Sequence, residues 1–300
     1  MLNTNFHTPV MLREVLDYLN LRPGKIIVDA TLGTAGHSKE ILGRILPRGG
    51  LIGIDRDEDS LSVARQRLSE FGSAVKLIRG NFVDLDTLLS DLKVDKVDGF
   101  LFDLGISTFQ LQNAARGFSF KSEGPLDMRM DKDSYISAYD LVNNLNEDEL
   151  STLLWNFGEE RWHSRIARFL VKERQKQPIA TTIELANIVS KSIPSRYRCR
   201  HYRIHPATRT FQAVRIAVNR ELEILETAVN KAIIALREKG RICVISFHSL
   251  EDRVIKFAFR KAEAAGLINI LTPKPQTPTQ SEVEVNPASR SSKFRAAERL

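Results

Sequence analysis

Lys25-Ile-Ile-Val-Asp29-Ala-Thr-Leu-Gly33-Thr-Ala-Gly36-His37-Ser38 is the stretch that decides the fold. Its apolar run closed by an acid reads as a short buried strand. The two glycines mark a turn, and Ser38 is placed to cap a helix running to about Leu46. Strand, turn and helix in succession make a βα unit, the building block of a parallel sheet with helices on both faces. Upstream, Leu12, Val15, Leu16 and Leu19 recur at helical spacing and predict an opening helix that stops at Pro23-Gly24. Downstream, the same alternation gives strands at Leu51–Asp55, Val75–Arg79 and Val97–Asp103, with a helix over Val63–Leu68 between the first two.

That rhythm stops after Gly105 and returns only at Arg241-Ile-Cys-Val-Ile-Ser246, another buried strand. Between them lie an acid-rich segment (Asp127, Asp131, Asp133, Asp140, Glu147, Asp148, Glu149) and helical patterns at Leu150–Phe157 and Ile166–Val171. The expected organisation is an α/β sheet domain over 1–110 and 206–300, with a helical domain inserted at 111–205. One long helix, Thr208 to Lys239, should lead the chain back, burying Val214, Ala217, Val218, Leu222 and Leu225. Four prolines among Thr, Ser and Gln make Thr272–Ser292 an expected irregular strap.

Composition sets wider bounds. A hydrophobic content of 42% supports a full core and argues against disorder, while a net charge of +7 suits a polyanionic partner as well as it suits an ordinary basic protein. Cys199 and Cys243 form no CxxC pair, so neither a disulfide framework nor a zinc site is indicated, and a reducing, cytoplasmic setting is expected. No apolar stretch approaches a membrane span, and the first residues lack a signal-peptide profile.

The C-terminal ends of strands in an open parallel sheet are where such folds bind ligands. The turn Asp29–His37 lacks the GxGxxG of a dinucleotide site, with Ala35 where a close-approach glycine would stand. It suits a compact amino-acid head, ammonium to carboxylate and carboxylate to backbone amides, such as that of S-adenosylmethionine. Asp55 ends the second strand, where a carboxylate can accept both hydroxyls of a ribose, and Phe82 follows the third, where a ring can stack on adenine. Asp103 ends the fourth. It could hold the cofactor's ammonium, accept a hydrogen bond from an amino nucleophile, or cap the next helix.

From Ser195 to Arg220 the chain carries Arg196, Arg198, Arg200, Arg203, Arg209, Arg215 and Arg220, with Tyr197 and Tyr202 interleaved and no acid. Phosphate contacts plus base stacking is one reading, and a solvated basic face is the other. Arg290, Lys293 and Arg295 could extend that surface. His201, His205 and His248 lie near arginines, which favours backbone or RNA contacts over a metal.

These residues and several longer blocks resemble the ribosomal RNA small subunit methyltransferase H family. The blocks are His7–Leu16, Asp29–Ser38, Gly53–Asp57, Asp103–Ser107, Arg116–Phe120 with Gly124–Met130, His205–Arg215, Val244–Arg253 and Asn286–Arg295. The resemblance runs nearly end to end. It implies a class I (Rossmann-like) methyltransferase fold with a mostly parallel sheet and an inserted helical domain, and N4 methylation of a decoding-region cytosine in 16S ribosomal RNA of the small subunit. Carried over by position, it puts S-adenosylmethionine on Ala35, Gly36, His37, Asp55, Phe82, Asp103 and Gln110, with no metal and no membrane; a homodimer is left open. Ala35 departs from the family's usual glycine, and Thr108 from its second serine. Asp103 is also the candidate for assisting the amine. Methylation at carbon five would need a nucleophilic cysteine, for which Cys243, inside a strand, and Cys199, without an acid or base partner, are poorly suited. Two alternatives stand beside this reading: a nicotinamide-dependent dehydrogenase, and a catalytically silent RNA-binding assembly factor.

Overall fold

Seven strands make one sheet in the computed structural model, which describes residues 9–194 and 205–300. They are β1 (Ile26–Asp29), β2 (Gly50–Asp55), β3 (Val75–Arg79), β4 (Val97–Asp103), β5 (Leu236–Ser246), β6 (Ile268–Ile270) and β7 (Lys293–Arg299). Their order in space is β3-β2-β1-β4-β5-β7-β6. Strands β1 to β5 pair in parallel, while β7 runs antiparallel to both β5 and β6. Helices α1 (Leu12–Tyr18), α2 (Gly36–Ile45), α3 (Glu58–Arg67) and α4 (Leu85–Asp91) alternate with the first strands. An insertion follows, carrying α5 (Thr108–Gln112), α6 (Ala138–Asn144), α7 (Glu147–Gly158), α8 (His163–Arg174), α9 (Thr182–Ser192) and α10 (Thr208–Asn219). Then come α11 (Glu221–Ala235), α12 (Ser249–Ala264) and the short α13 (Gln280–Val285).

Burial on both faces explains why β1, β2 and the inner parts of β4 and β5 are apolar runs rather than alternating ones, whereas β3 at the edge carries Lys76 and has no fully buried residue. Adjacent residues point to opposite sides. Val28, Ile52, Phe100, Phe102 and Val244 join one core with α4, α11 and α12, and their neighbours Ile27, Leu51, Leu101 and Cys243 join the other with α1, α2 and α3. The helical insertion has its own core, in which Leu150, Leu154, Ile166, Leu170, Leu185, Val189 and Phe211 are buried.

The chain divides at Gly105/Ile106 and at Glu221/Leu222, rather than at 110 and 205. The cause is α10, whose Phe211, Ala213 and Val214 pack into the insertion's core. The single helix expected over 208–239 is two, α10 and α11, separated by Arg220 in a left-handed conformation (φ 52°) whose N–H bonds back to Ala217 and Ile216. Ser38 does not cap α2. Ala35 begins that helix a turn earlier, and the Ser38 hydroxyl donates instead to the Asp29 carboxylate at 2.6 Å. The expected strap holds α13, and Glu282 within it accepts the Met11 N–H at 2.7 Å. Strands β6 and β7 were not anticipated.

Inside the insertion, buried Asn219 donates to the carbonyls of Met128 and Arg215 and accepts the Met130 N–H, holding the stretch in which Met128 is left-handed (φ 59°). Replacing it by alanine strands those buried backbone groups. Asn219→Ala should therefore lower stability by roughly 2–3 kcal/mol, read from urea denaturation of the full chain; a loss within error would show that the 128–130 stretch is held by other means.

Candidate active site

Register places the site. Asp29 of β1 lies level with Gly53 of β2 and Leu101 of β4, so β2 and β4 each continue two residues further, to Asp55 and Asp103. Three carboxylates thus end three adjacent parallel strands, and the turn 30–35 crosses between them. That turn is tied down on both sides. Gly33 N–H donates to Asp55 Oδ2 at 2.8 Å and Leu32 N–H to the Ile54 carbonyl at 3.0 Å, while Asp103 N–H donates to Thr31 Oγ1 at 2.6 Å. Asp57 N–H donates to the other Asp55 oxygen at 2.8 Å. Gly33 (φ 52°) and Ala35 (φ 62°) are both left-handed, a conformation that costs a non-glycine residue about 1 kcal/mol. Ala35 is held there by its methyl group, which is fully buried in the core with Ile41 and Leu42.

Burial dominates the electrostatics. The Asp29 and Asp55 carboxyls are each pushed up to about 6 by removal from water, against the pull of the hydrogen bonds they accept. Asp103 is raised well above the usual carboxylate range, first by desolvation and then by the negative charges of Asp29 and Glu251. Its Oδ1 is buried with no hydrogen-bond partner, and its Oδ2 lies 3.4 Å from Nδ1 of His37. An orphaned buried carboxylate oxygen is the kind of group a bound ammonium or amine satisfies.

Phe82 sits in a short 3₁₀ turn after β3, capped by the Asn81 side chain on Val83 N–H. Its ring meets Phe102 edge-on at 5.8 Å, and the Arg56 guanidinium lies 5.9 Å from its centroid. Ala35, Gly36, His37, Asp55, Phe82 and Asp103 accordingly lie at or just beyond the same strand ends. Gln110 belongs to the insertion, where its carbonyl accepts Ser107 N–H and its own N–H meets the Ser107 hydroxyl, closing a capping box on α5.

Among the arginines, Arg196, Arg198, Arg200 and Arg203 lie outside the described residues, as do Cys199 and His201. Arg209 is exposed at the start of α10 and donates to the Glu159 carbonyl. Arg215 is mostly buried and meets Glu221 through two hydrogen bonds of 3.0 and 2.9 Å, which makes it a structural ion pair rather than part of an exposed basic face. Arg295 and Lys293 pair with Asp252. His205 stacks on Phe120 and accepts Ala207 N–H, and His248 caps α12 by accepting Glu251 N–H. Cys243 is fully buried in β5, and burial drives its thiol strongly upward, away from nucleophilic use.

Glu251 was assigned no task from sequence. Its Oε2 accepts the N–H groups of Phe247 and His248, and its charge reaches Asp103. The signal was weak: His248 fills a cap position where Ser, Thr, Asp or Asn is usual, so only Glu251 matches the capping-box pattern.

A 3-2-1-4-5-7-6 sheet with an antiparallel seventh strand, a glycine turn after β1 and carboxylates ending β2 and β4 has the architecture of a class I, S-adenosylmethionine-dependent methyltransferase. Residues 4–300 match the MraW methylase family, and the chain belongs to it. It is similar to the ribosomal RNA small subunit methyltransferase H of Pelobacter propionicus (50% identity, covering 98% of each chain) and of Geotalea uraniireducens (46%, 98% of each). That of Clostridioides difficile is 44% identical over 98% of this chain and 99% of its own. Membership in a methylase family sets the dehydrogenase alternative aside. No helix among the described residues is long and apolar enough to cross a membrane.

The raised Asp29 carboxyl makes a signed prediction. Between about pH 4 and 6 the native protein binds more protons at this site than the unfolded chain does, so stability falls as pH rises through that window and is level above it. Asp29→Asn, which keeps hydrogen-bonding capacity toward Ser38 and Thr31, should remove this component and raise stability at pH 7 by up to roughly 3 kcal/mol. Denaturation at pH 4 and pH 7 of both proteins checks it, and an equal stability difference at the two pH values contradicts it.

Proposed function

We propose that this chain transfers a methyl group from S-adenosylmethionine to the exocyclic N4 amine of a cytosine in the decoding region of small-subunit (16S) ribosomal RNA. The observation that carries the reading is Asp103, whose buried Oδ1 lacks a partner at the end of β4, beside the turn and one strand over from Asp29. The names of the relatives support the choice of ribosomal RNA. N4 rests on the family resemblance, and the buried, unreactive Cys243 favours it over carbon five.

In this reading Asp55 accepts the ribose hydroxyls, Phe82 stacks on the adenine ring, and the amides around Ala35 and Gly36 receive the carboxylate; Gln110 is carried over from the family resemblance. S-adenosylmethionine supplies an electrophilic methyl on a sulfonium, and the protein's part is chiefly alignment of the amine with it. The N4 lone pair is delocalised into the ring, so a hydrogen bond from the amine to Asp103 increases its nucleophilicity. The insertion serves RNA recognition, with Arg196, Arg198, Arg200, Arg203 and Arg209 toward phosphates and Tyr197 and Tyr202 toward bases. Cytoplasmic action follows from such a substrate.

Small subunits lacking the modification, incubated with the protein and methyl-labelled S-adenosylmethionine, should yield N4-methylcytidine on nucleoside mass spectrometry. Bound cofactor without that product would overturn the reading and favour a silent assembly factor. Asp55→Ala should weaken cofactor binding roughly 10- to 100-fold, the equivalent of losing charged hydrogen bonds, as measured by calorimetry.

A further inference from the structure

His37 enters the family resemblance as a residue at the cofactor turn. Its side chain bridges Val10 and Asp103. The imidazole is buried, and its Nε2 lies 2.9 Å from the Val10 carbonyl. A carbonyl only accepts, so Nε2 carries a hydrogen and the neutral ring presents an unprotonated Nδ1. That atom sits 3.4 Å from Asp103 Oδ2. A bare ring nitrogen and an ionised carboxylate would oppose two lone pairs where the ring is buried and the Asp103 side chain only a quarter exposed, an arrangement that partial burial makes costly. A proton between them resolves it, as imidazolium against carboxylate or as carboxylic acid against imidazole.

We infer that His37 and Asp103 hold one proton between them, and that His37 thereby controls whether Asp103 can receive the proton released by the methylated amine. Among the described residues, the titratable groups facing Asp103 are His37 from α2, Asp29 from β1 and Glu251 from α12. The two acids both oppose a charge on Asp103, and His37 is the base among the three. Oδ1, buried and unpartnered, is the atom left to meet the amine. This step rests on the methyl-transfer reading above; the shared proton itself does not.

The chemistry balances as follows. The N4 lone pair forms the new N–C bond as the C–S bond breaks, and that electron pair stays on sulfur. The methylated amine is then a cation that must lose a proton. Its N–H bond breaks as Oδ1–H forms, while the proton on Oδ2 passes to Nδ1 of His37. The pair finishes with one extra proton, which returns to water as the products leave. His37 touches neither reacting atom and is a positioning residue, acting through Asp103.

Two measurements test this. In protein labelled with nitrogen-15 at histidine, the Nδ1 resonance of His37 should carry protonated character at neutral pH and lose it in Asp103→Asn, whose amide has no proton to share. An Nδ1 signal unchanged by Asp103→Asn overturns the shared proton. His37→Gln can still donate to Val10 but offers no base. It should lower kcat at pH 7 about 100-fold, within the range of general acid–base assistance, and move the acidic limb of the kcat profile to higher pH, with cofactor affinity little changed. A drop in cofactor affinity with the limb in place would mark His37 as merely structural and overturn the control of Asp103. Should His37→Gln fail to fold, the nuclear resonance comparison of wild type and Asp103→Asn decides alone. A shared proton found in a protein that forms no N4-methylcytidine would sustain the pair and defeat the target assignment.

Discussion

Asp55 accepting Gly33 N–H on one oxygen and Asp57 N–H on the other is the interaction on which the C-terminal edge of the sheet depends. It joins the end of β2 to the turn after β1 and to the start of α3. The turn in turn reaches β4 through Thr31 and Asp103. A single carboxylate therefore sets the spacing of the strand ends and still keeps lone pairs for a ligand. The arrangement concentrates acids in a dry region, which costs stability when they are all ionised. Proteins commonly accept such costs where chemistry needs a group away from its ordinary proton affinity.

Much of this was legible in the sequence, and for a definite reason. The inner strands β1, β2 and β4 are each built on an apolar run that ends in an acid, and the candidate carboxylates stand at those endings, while the edge strand β3 carries Lys76 and ends in Arg79. A glycine turn after the first run marked the candidate ligand loop. None of these readings needed long-range information, because a run and the residue that closes it lie within one segment.

What escaped was tertiary. Arg220 breaks the helix between α10 and α11, yet arginine is a good helix former and both flanks are helical in pattern. Lys293-Phe-Arg-Ala-Ala-Glu-Arg299 has little intrinsic preference for a strand; it is one because β5 offers a free edge beside it. Arg215 looked free in an acid-free run because Glu221, its partner, lies one residue past the end of that run. The contact of His37 with Val10 spans 27 positions and leaves no periodic trace.

The position of β7 bears on how the sheet can assemble. It comes after β6 along the chain but lies between β5 and β6 in space, and β6 pairs with β7. Strand β6 is therefore made before the strand it must pair with, and β5 keeps an open edge until β7 docks. Whether β7 docks on β5 alone or already paired with β6, the edge of β5 closes only when β7 is in place. In the interval the chain exposes an apolar, unpaired strand edge, the feature most prone to pairing with another molecule. Aggregation during refolding should thus be sensitive to this non-local pairing step.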